Sequence, residues 1–120
     1  MTPHDQTTEA EIHAKGLTAP RVTPADIEAN IRAETYFTAF DGFMADDRDM
    51  AMRDADALKL LTFCVLVLRN GFTVTGESAC ASPDNFDAEV GRKIARQNAV
   101  QKIWPLLGFA LKERLHAEGG

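Results

Sequence analysis

The second half of the chain carries basic residues whose types and spacing suit an anion. Arg92, Lys93, Arg96 and Lys102 form the only basic cluster in the sequence. Arg92 and Arg96 are one helical turn apart, so on a helix their guanidinium groups lie on neighbouring turns of one face. Paired guanidinium forks bind phosphate oxygens well. The spacing therefore predicts a site for a phosphate-bearing ligand.

The same residues also fit a solvated helix face. Glu89 precedes Arg92, Lys93 and Arg96 at distances that allow ion pairs along a helix. Each such pair stabilises a helix by only about 0.2–0.5 kcal/mol. Both interpretations of the cluster remain open at this stage.

Four polar residues accompany the basic cluster: Glu77, Ser78, Asp87 and Asn98. On a helical wheel Asp87 and Asn98 project towards the apolar side, where an unpaired polar group costs several kcal/mol. In one interpretation they hold backbone groups of a hairpin, or a hydroxyl such as that of Thr75 or Ser78. In the other, all four line a polar ligand pocket.

Two aromatic residues, Tyr36 and Trp104, are candidates for stacking on a base, although core packing is the commoner role of both types. A helix start attracts anions, but Asp84 and Asp87 place negative charge there. We therefore expect a phosphate to bind further along the helix, at the two arginines, or between subunits.

Catalysis and metal binding receive little support from the sequence. His4, His13 and His116 lie near the termini, apart from the two cysteines, and structural zinc takes four clustered ligands. Ser78 and Cys80 are nucleophiles in type, but no histidine accompanies them as a base. We expect no catalytic residue, no metal and no cofactor.

The stretch TFCVLVLRNGFTVTGES, residues 62–78, predicts a β-hairpin around Asn70-Gly71. Asn-Gly favours a two-residue type I′ turn, which would place Arg69 opposite Phe72 and Val67 opposite Val74. The second strand then points Val74 inwards, with alternating threonines facing solvent.

The first strand of this hairpin is apolar on both faces, so Cys64, Leu66 and Leu68 also need cover. An isolated hairpin is marginally stable in water. We therefore expect added strands, helices or a second subunit, and a homo-oligomer is predicted.

Helix signals occur on both sides of the hairpin. Thr23, followed by Pro24 and Asp26, has the pattern of a capped helix start, and the apolar spacing predicts a helix that continues through Tyr36 to the turn at Asp41-Gly42. A second start lies at residues 82–85, SPDN, for a helix that is expected to end at Trp104.

Pro105 is expected to stop or kink that helix and to open a last one, which reaches Leu115. The prediction is an α+β fold: one small domain, residues 22–118, in which a β-hairpin packs with three or more helices, assembled as an oligomer. Residues 1–21 are expected to form a poorly ordered N-terminal arm with a short helical turn.

Composition restricts the possible functions. The chain has 120 residues and a net charge of −5, which argues against non-specific nucleic-acid binding as the main role. The longest apolar run is far shorter than the roughly 20 residues that cross a membrane. The acidic stretch 44–57 does not match the spacing of a calcium-binding loop, and a solvated loop or short exposed helix is expected there.

Residues 62–115, together with the earlier segment ETYF (34–37), resemble a family of small tailed-phage proteins named after gene forty-nine of coliphage N-four and gene sixty-six of a Shigella phage. The resemblance rests on the runs NGFTVTGES (70–78), NFD (85–87), GRKIA (91–95) and Trp104-Pro105. It implies a phage or prophage origin and a setting in the cytoplasm of the infected bacterium. No catalytic residue is carried over from it.

These observations lead to three functional hypotheses. The first is a non-enzymatic phage accessory protein that counters host defence by binding, including the sequestration of a small cyclic nucleotide signal. The alternative is a protein–protein interaction module that acts on a host or phage protein. An enzyme acting on nucleotides is the third and least favoured.

Overall fold

The structure, a computed structural model, describes residues 3–17, 19–46 and 52–119. A three-stranded antiparallel sheet has the order β1-β2-β3, with β1 at Ile31–Thr38, β2 at Leu61–Leu68 and β3 at Thr73–Ala79. The described helices are α1 (Pro3–Ala14), α2 (Pro24–Ala29), α3 (Ala39–Asp46), α4 (Met52–Leu58) and α5 (Ala88–Ala117). The predicted α+β class is confirmed.

Helix α5 packs directly on strands β2 and β3 through small residues. A Cβ atom at Gly76 would collide with the Ala95 carbonyl oxygen and with the Ala99 backbone, whose Cα would lie 2.9 Å away. A Cβ at Gly91 would lie 3.1 Å from Oγ1 of Thr62. Because these positions lack bulk, the helix backbone rests on the sheet itself.

The core lies between this helix and one face of the sheet. Cys64 and Leu66 of the central strand are fully buried, and Ile27 of α2 and Ile103 of α5 complete the same cluster. The cover that the sequence requires for the Cys64–Leu68 face is therefore supplied by helices of the same chain. The opposite face of β2, which carries Phe63, Val65 and Val67, is only partly buried.

The hairpin is confirmed, but its predicted register is wrong by one residue. The loop has three residues, Arg69 to Gly71, and Gly71 adopts a φ of 92°. The Leu68 amide donates to the Phe72 carbonyl at 2.7 Å, and the Gly71 amide donates to the Leu68 carbonyl at 2.9 Å. A three-residue loop with glycine in the left-handed region is the next commonest hairpin after the two-residue type.

Because the register differs by one residue, each residue of β2 pairs with a β3 residue that was predicted to lie on the other face of the sheet. Leu66 pairs with Val74 and Cys64 pairs with Gly76, so the helix-facing side of β3 presents a valine and a glycine. Phe63 pairs with Glu77 on the opposite side. The predicted pairing of Val67 with Val74 does not occur.

The first predicted helix is right at its start and wrong at its end. Thr23 and Asp26 form the expected capping box, but the helix ends at Ala29 and residues 31–38 form β1. This segment is rich in β-branched and aromatic residues, which favour strands, and it pairs along β2. The next helix, α3, begins with a second capping arrangement, between Thr38 and Asp41.

The two helices predicted after the hairpin are a single helix. Residues 83–85 form a 3-10 turn, and α5 starts later, where the Val90 amide donates to Oδ1 of Asp87 at 3.0 Å. The helix continues through Pro105 to Ala117. Proline removes one hydrogen bond, to the Gln101 carbonyl. Both residues are exposed, so water can donate a hydrogen bond to that carbonyl instead.

In the segment predicted as a poorly ordered arm, residues 1–21, the structure contains helix α1, and Arg21 forms an ion pair with Glu9. Within the acidic stretch, α3 and α4 cover residues 44–46 and 52–57. The aspartates at positions 47 and 49 lie outside the described residues.

The contact at Gly76 predicts a large effect of a small substitution. Gly76→Ala should lower the free energy of unfolding by about 3 kcal/mol, because the added methyl group meets backbone atoms that cannot rotate away. Denaturation in urea measures the loss.

Gly108→Ala is the matched control, since a Cβ there meets nothing within 4 Å. It should raise stability by about 0.5–1 kcal/mol through helix propensity. Equal stability of Gly76→Ala and the wild type would contradict the close helix–sheet contact.

Candidate functional site

Arg96 joins three elements of the fold. Its guanidinium group donates to both carboxylate oxygens of Glu28 on α2, at 2.9 and 3.2 Å, and through Nε to Oε2 of Glu34 on β1, at 2.7 Å. The Tyr36 hydroxyl donates to the same Glu34 oxygen at 2.9 Å. Arg96 is therefore held by two carboxylates, and the three charged groups together carry a net charge of −1.

The electrostatics follow from these hydrogen bonds. Those from Arg96 hold the pKa of Glu28 and of Glu34 below the usual value of 4.5, against an opposing effect of burial. The hydrogen bond with Glu28 is the main cause that raises the pKa of Arg96. Burial, followed by the hydrogen bond to Glu34, raises the pKa of Tyr36 to about 12. Burial also raises the pKa of the Cys64 thiol.

Arg92, one turn earlier, has no ion-pair partner in the described part of the chain. It borders a small cavity of about 60 Å³ between α5 and the end of β1. The residues that line this cavity are Tyr36, Phe37, Thr38, Asp41, Thr62, Phe86, Ala88 and Arg92. The structure thus brings together two of the predicted site residues, Tyr36 and Arg92.

Lys93 follows the solvated interpretation. Its Nζ lies 3.8 Å from Oε1 of Glu89, and both side chains are largely exposed. Three of the four clustered basic residues therefore have different environments: an exposed ion pair at Lys93, a guanidinium held by two carboxylates at Arg96 and an unpaired guanidinium at Arg92.

Asn98 and Asp87 have structural roles. The Asn98 side-chain amide donates to the Glu77 carbonyl at 2.8 Å, which attaches α5 to the β3 backbone as the structural interpretation predicts. Asp87 caps the start of its own helix instead of binding the hairpin. Among the described side chains, no buried polar atom lacks a hydrogen-bond partner.

Only part of the predicted polar pocket forms. Ser78 and Asp87 line a cavity of about 150 Å³ together with Cys80, whose thiol lies 3.1 Å from the Ser82 carbonyl oxygen. Asn98 and Glu77 do not line it. Glu77 pairs with Phe63 on the opposite face of the sheet.

Trp104 lies in a different region. It borders a cavity of about 430 Å³ between α1, α2 and α5, whose walls include Ile12, Val22 and the ion pair of Arg21 with Glu9. Twelve residues of helix separate Trp104 from Arg92, which corresponds to roughly 18 Å. The two predicted stacking residues therefore do not share a site, and no sequence signal connected Glu9 with Arg21.

Within residues 3–17, 19–46 and 52–119, no group of three or more histidine, cysteine, aspartate or glutamate side chains is arranged to hold a metal ion. No helix in these ranges is long and apolar enough to span a membrane.

The geometry defines a small α+β domain in which one long helix covers a three-stranded sheet, with shallow cavities, one of which is bordered by the unpaired Arg92. The model of the phage protein (N4 Gp49/phage Sf6 gene 66) family matches residues 22–115, and the chain belongs to this family. The match extends the resemblance seen in residues 34–37 and 62–115 to the whole of β1 and to α2. No curated protein and no solved structure matches the chain.

The arrangement around Arg96 predicts a pH-dependent stability. Arg96→Met should lower the free energy of unfolding by about 1–2 kcal/mol at neutral pH, because it leaves Glu28 and Glu34 without their shared partner. The depressed pKa values mean that this contribution is present above pH 4.5 and is lost as the pH falls and the carboxylates are protonated. Urea denaturation at neutral and acidic pH measures the difference.

Arg114→Met is the control, because Arg114 is an exposed arginine of the same helix with no ion pair in the described residues. It should change stability by no more than about 0.5 kcal/mol at either pH. A gap between Arg96→Met and the wild type that stays constant from neutral to acidic pH would contradict the assigned role.

Proposed function

We propose that this phage protein acts by binding, without catalysis, and counters host defence by sequestering a small cyclic nucleotide in the cytoplasm of the bacterial host. The observation that carries the proposal is the unpaired guanidinium of Arg92, a residue that lines the same small cavity as Tyr36. A guanidinium fork binds phosphate oxygens in bidentate fashion, and an aromatic ring stacks on a base.

The charge distribution favours Arg92 over Arg96 as the phosphate contact. Arg96 would have to exchange Glu28 or Glu34 for a phosphate, which would leave a carboxylate unpaired beside the ligand. Arg92 has no such partner to release. The neighbouring Asp41 carboxylate accepts the Thr38 amide at the start of α3.

The small size of the cavity supports a ligand site between subunits. About 60 Å³ is far below the roughly 300–1,000 Å³ of a typical ligand pocket. A nucleotide would contact Arg92 on one protomer and lie against another surface on its other side. We therefore include a homo-oligomer in the proposal, and ligand sites between subunits.

A thermal-shift panel of cyclic di- and trinucleotides tests this proposal. A ligand at 100 times its Kd should stabilise the wild type by about 2.7 kcal/mol, which corresponds to a rise in Tm of several degrees. Arg92→Ala should lose this rise. Arg114→Ala, the matched exposed arginine of α5, should keep it.

Two results would overturn the proposal. One is the absence of any shift with every cyclic nucleotide at saturating concentration. The other is an equal shift in Arg92→Ala and the wild type. Mass spectrometry of the bound ligand then separates binding from the alternative of an enzyme acting on nucleotides, because sequestration returns the ligand intact.

A second candidate function, protein binding, is favoured by the uncovered face of the sheet. Nine residues form this face in three rows, and none of them is buried. They are Ala33, Thr35 and Phe37 of β1, Phe63, Val65 and Val67 of β2, and Thr73, Thr75 and Glu77 of β3. With one ionisable side chain among the nine, this face suits an amphipathic helix of a host protein.

This candidate predicts a surface-specific loss of binding. Val65→Lys places a charge at the centre of the uncovered face and should abolish capture of a stoichiometric host protein from infected cells. Val90→Lys, at a valine on α5 that is 50% exposed, should leave capture unchanged. Equal capture by both variants, or none by the wild type, would exclude the face as a docking site.

A further inference from the structure

One flank of α5 carries a short pattern that neither proposed function uses. Lys102, Leu106, Phe109 and Glu113 follow one another at intervals of four, three and four residues. Phe109 is 69% exposed, the highest value among the large hydrophobic residues described, and Leu106 is 37% exposed. The charged residues at both ends are exposed as well. Four exposed residues thus form an apolar pair between two charges.

The spacing places all four side chains on one side of the helix. At 100° per residue they fall within an arc of about 60°. Alternating intervals of four and three residues are those of the core positions of a coiled coil. Neither Lys102 nor Glu113 has an ion-pair partner within the described residues, so their charges are available.

We propose that a second copy of this chain covers this flank, with its α5 antiparallel and the two-fold axis between Leu107 and Gly108. Leu106 then packs against the partner's Phe109, and Lys102 lies opposite the partner's Glu113. Because the contact is isologous, each of these pairs occurs twice.

The charges on this flank favour a second copy of the chain as the partner, and they favour an antiparallel direction of its helix. In a parallel pair, Lys102 would face the partner's Lys102 and Glu113 would face the partner's Glu113, so that like charges repel at both ends. In the antiparallel pair, each lysine faces a glutamate. The charge pattern of the flank is therefore complementary to itself only in the antiparallel direction, as an antiparallel homodimer requires.

The proposed contact is short. The contact covers residues 102–113, or roughly 17 Å of each helix. It is small compared with the roughly 800 Å² per partner of a standard interface, so the dimer dissociates on dilution. It does not depend on the ligand of the proposed function.

Sedimentation velocity of the full chain without ligand, over a range of concentrations, tests the dimer. The wild type should sediment as a dimer at high concentration. Lys102→Glu and Glu113→Lys should each raise the dissociation constant about tenfold or more, because each places like charges opposite one another twice. The double variant with both changes should recover most of the wild-type affinity, because the pairs are restored in reversed order.

Two phenylalanine variants locate the surface. Phe109→Ala should remove the dimer, whereas Phe72→Ala, at a phenylalanine of the hairpin that is 55% exposed, should keep it. Circular dichroism confirms that each variant is folded. A wild type that is monomeric at every concentration, a double charge reversal that does not recover dimerisation, or a dimer that depends on Phe72 instead of Phe109 would overturn the proposal. Nucleotide binding at Arg92 is measured separately, so either proposal can fail alone.

Discussion

The close approach of α5 to the sheet at Gly76 is the contact on which the rest of the structure depends. Because a glycine on β3 meets the backbone at Ala95 and Ala99, the helix axis is fixed with little freedom to slide or tilt. This close contact sets the spacing between helix and sheet for the other helix–sheet contacts. The Asn98 amide reaches the Glu77 carbonyl because the two backbones are this close, and Arg96 faces the other way, towards α2 and β1.

Small residues along α5 recur at every fourth position. Gly91, Ala95 and Ala99 are followed at the same interval by Ile103, which is fully buried. Residue size thus increases along the helix, from the glycine and alanines against the sheet to Ile103, which lies in the same core cluster as Ile27 of α2. A second anchor is Arg96, whose two carboxylate partners connect the edge strand and a short helix that have few other contacts with α5. Packing and charge fix the same helix from two sides.

The sequence was informative where the signal is local. The capping box at Thr23, the hairpin and the inward Val74 could be predicted because each depends on residues within a few positions. The register of the hairpin could not, since Asn70-Gly71 fits both a two-residue turn and a three-residue loop. Strand β1 was mistaken for helix because its residues repeat at spacings compatible with either element, and only pairing with β2 decides between them.

In the candidate site, too, the local sequence pattern predicted some features, and others depend on distant parts of the chain. Arg92 and Arg96 look equivalent in the sequence, one turn apart in one basic cluster. They differ because Glu28 and Glu34, which lie more than 60 positions earlier, are placed beside only one of them. No local pattern shows which arginine forms that ion pair. The fold determines which arginine is paired, and the earlier one, Arg92, remains the candidate for ligand recognition.

The proposed α5 dimer and the proposed ligand site between subunits require different contacts between copies of the chain. With a two-fold axis between Leu107 and Gly108, Arg92 lies roughly 23 Å along the helix from the axis. The partner's helix ends at about the level of Asn98, and a helix C-terminus carries partial negative charge, which does not favour a phosphate. The antiparallel contact alone therefore does not supply the second wall of a nucleotide site at Arg92. If both proposals hold, that wall belongs to another contact, for which the uncovered sheet face is available, and the assembly is larger than a dimer.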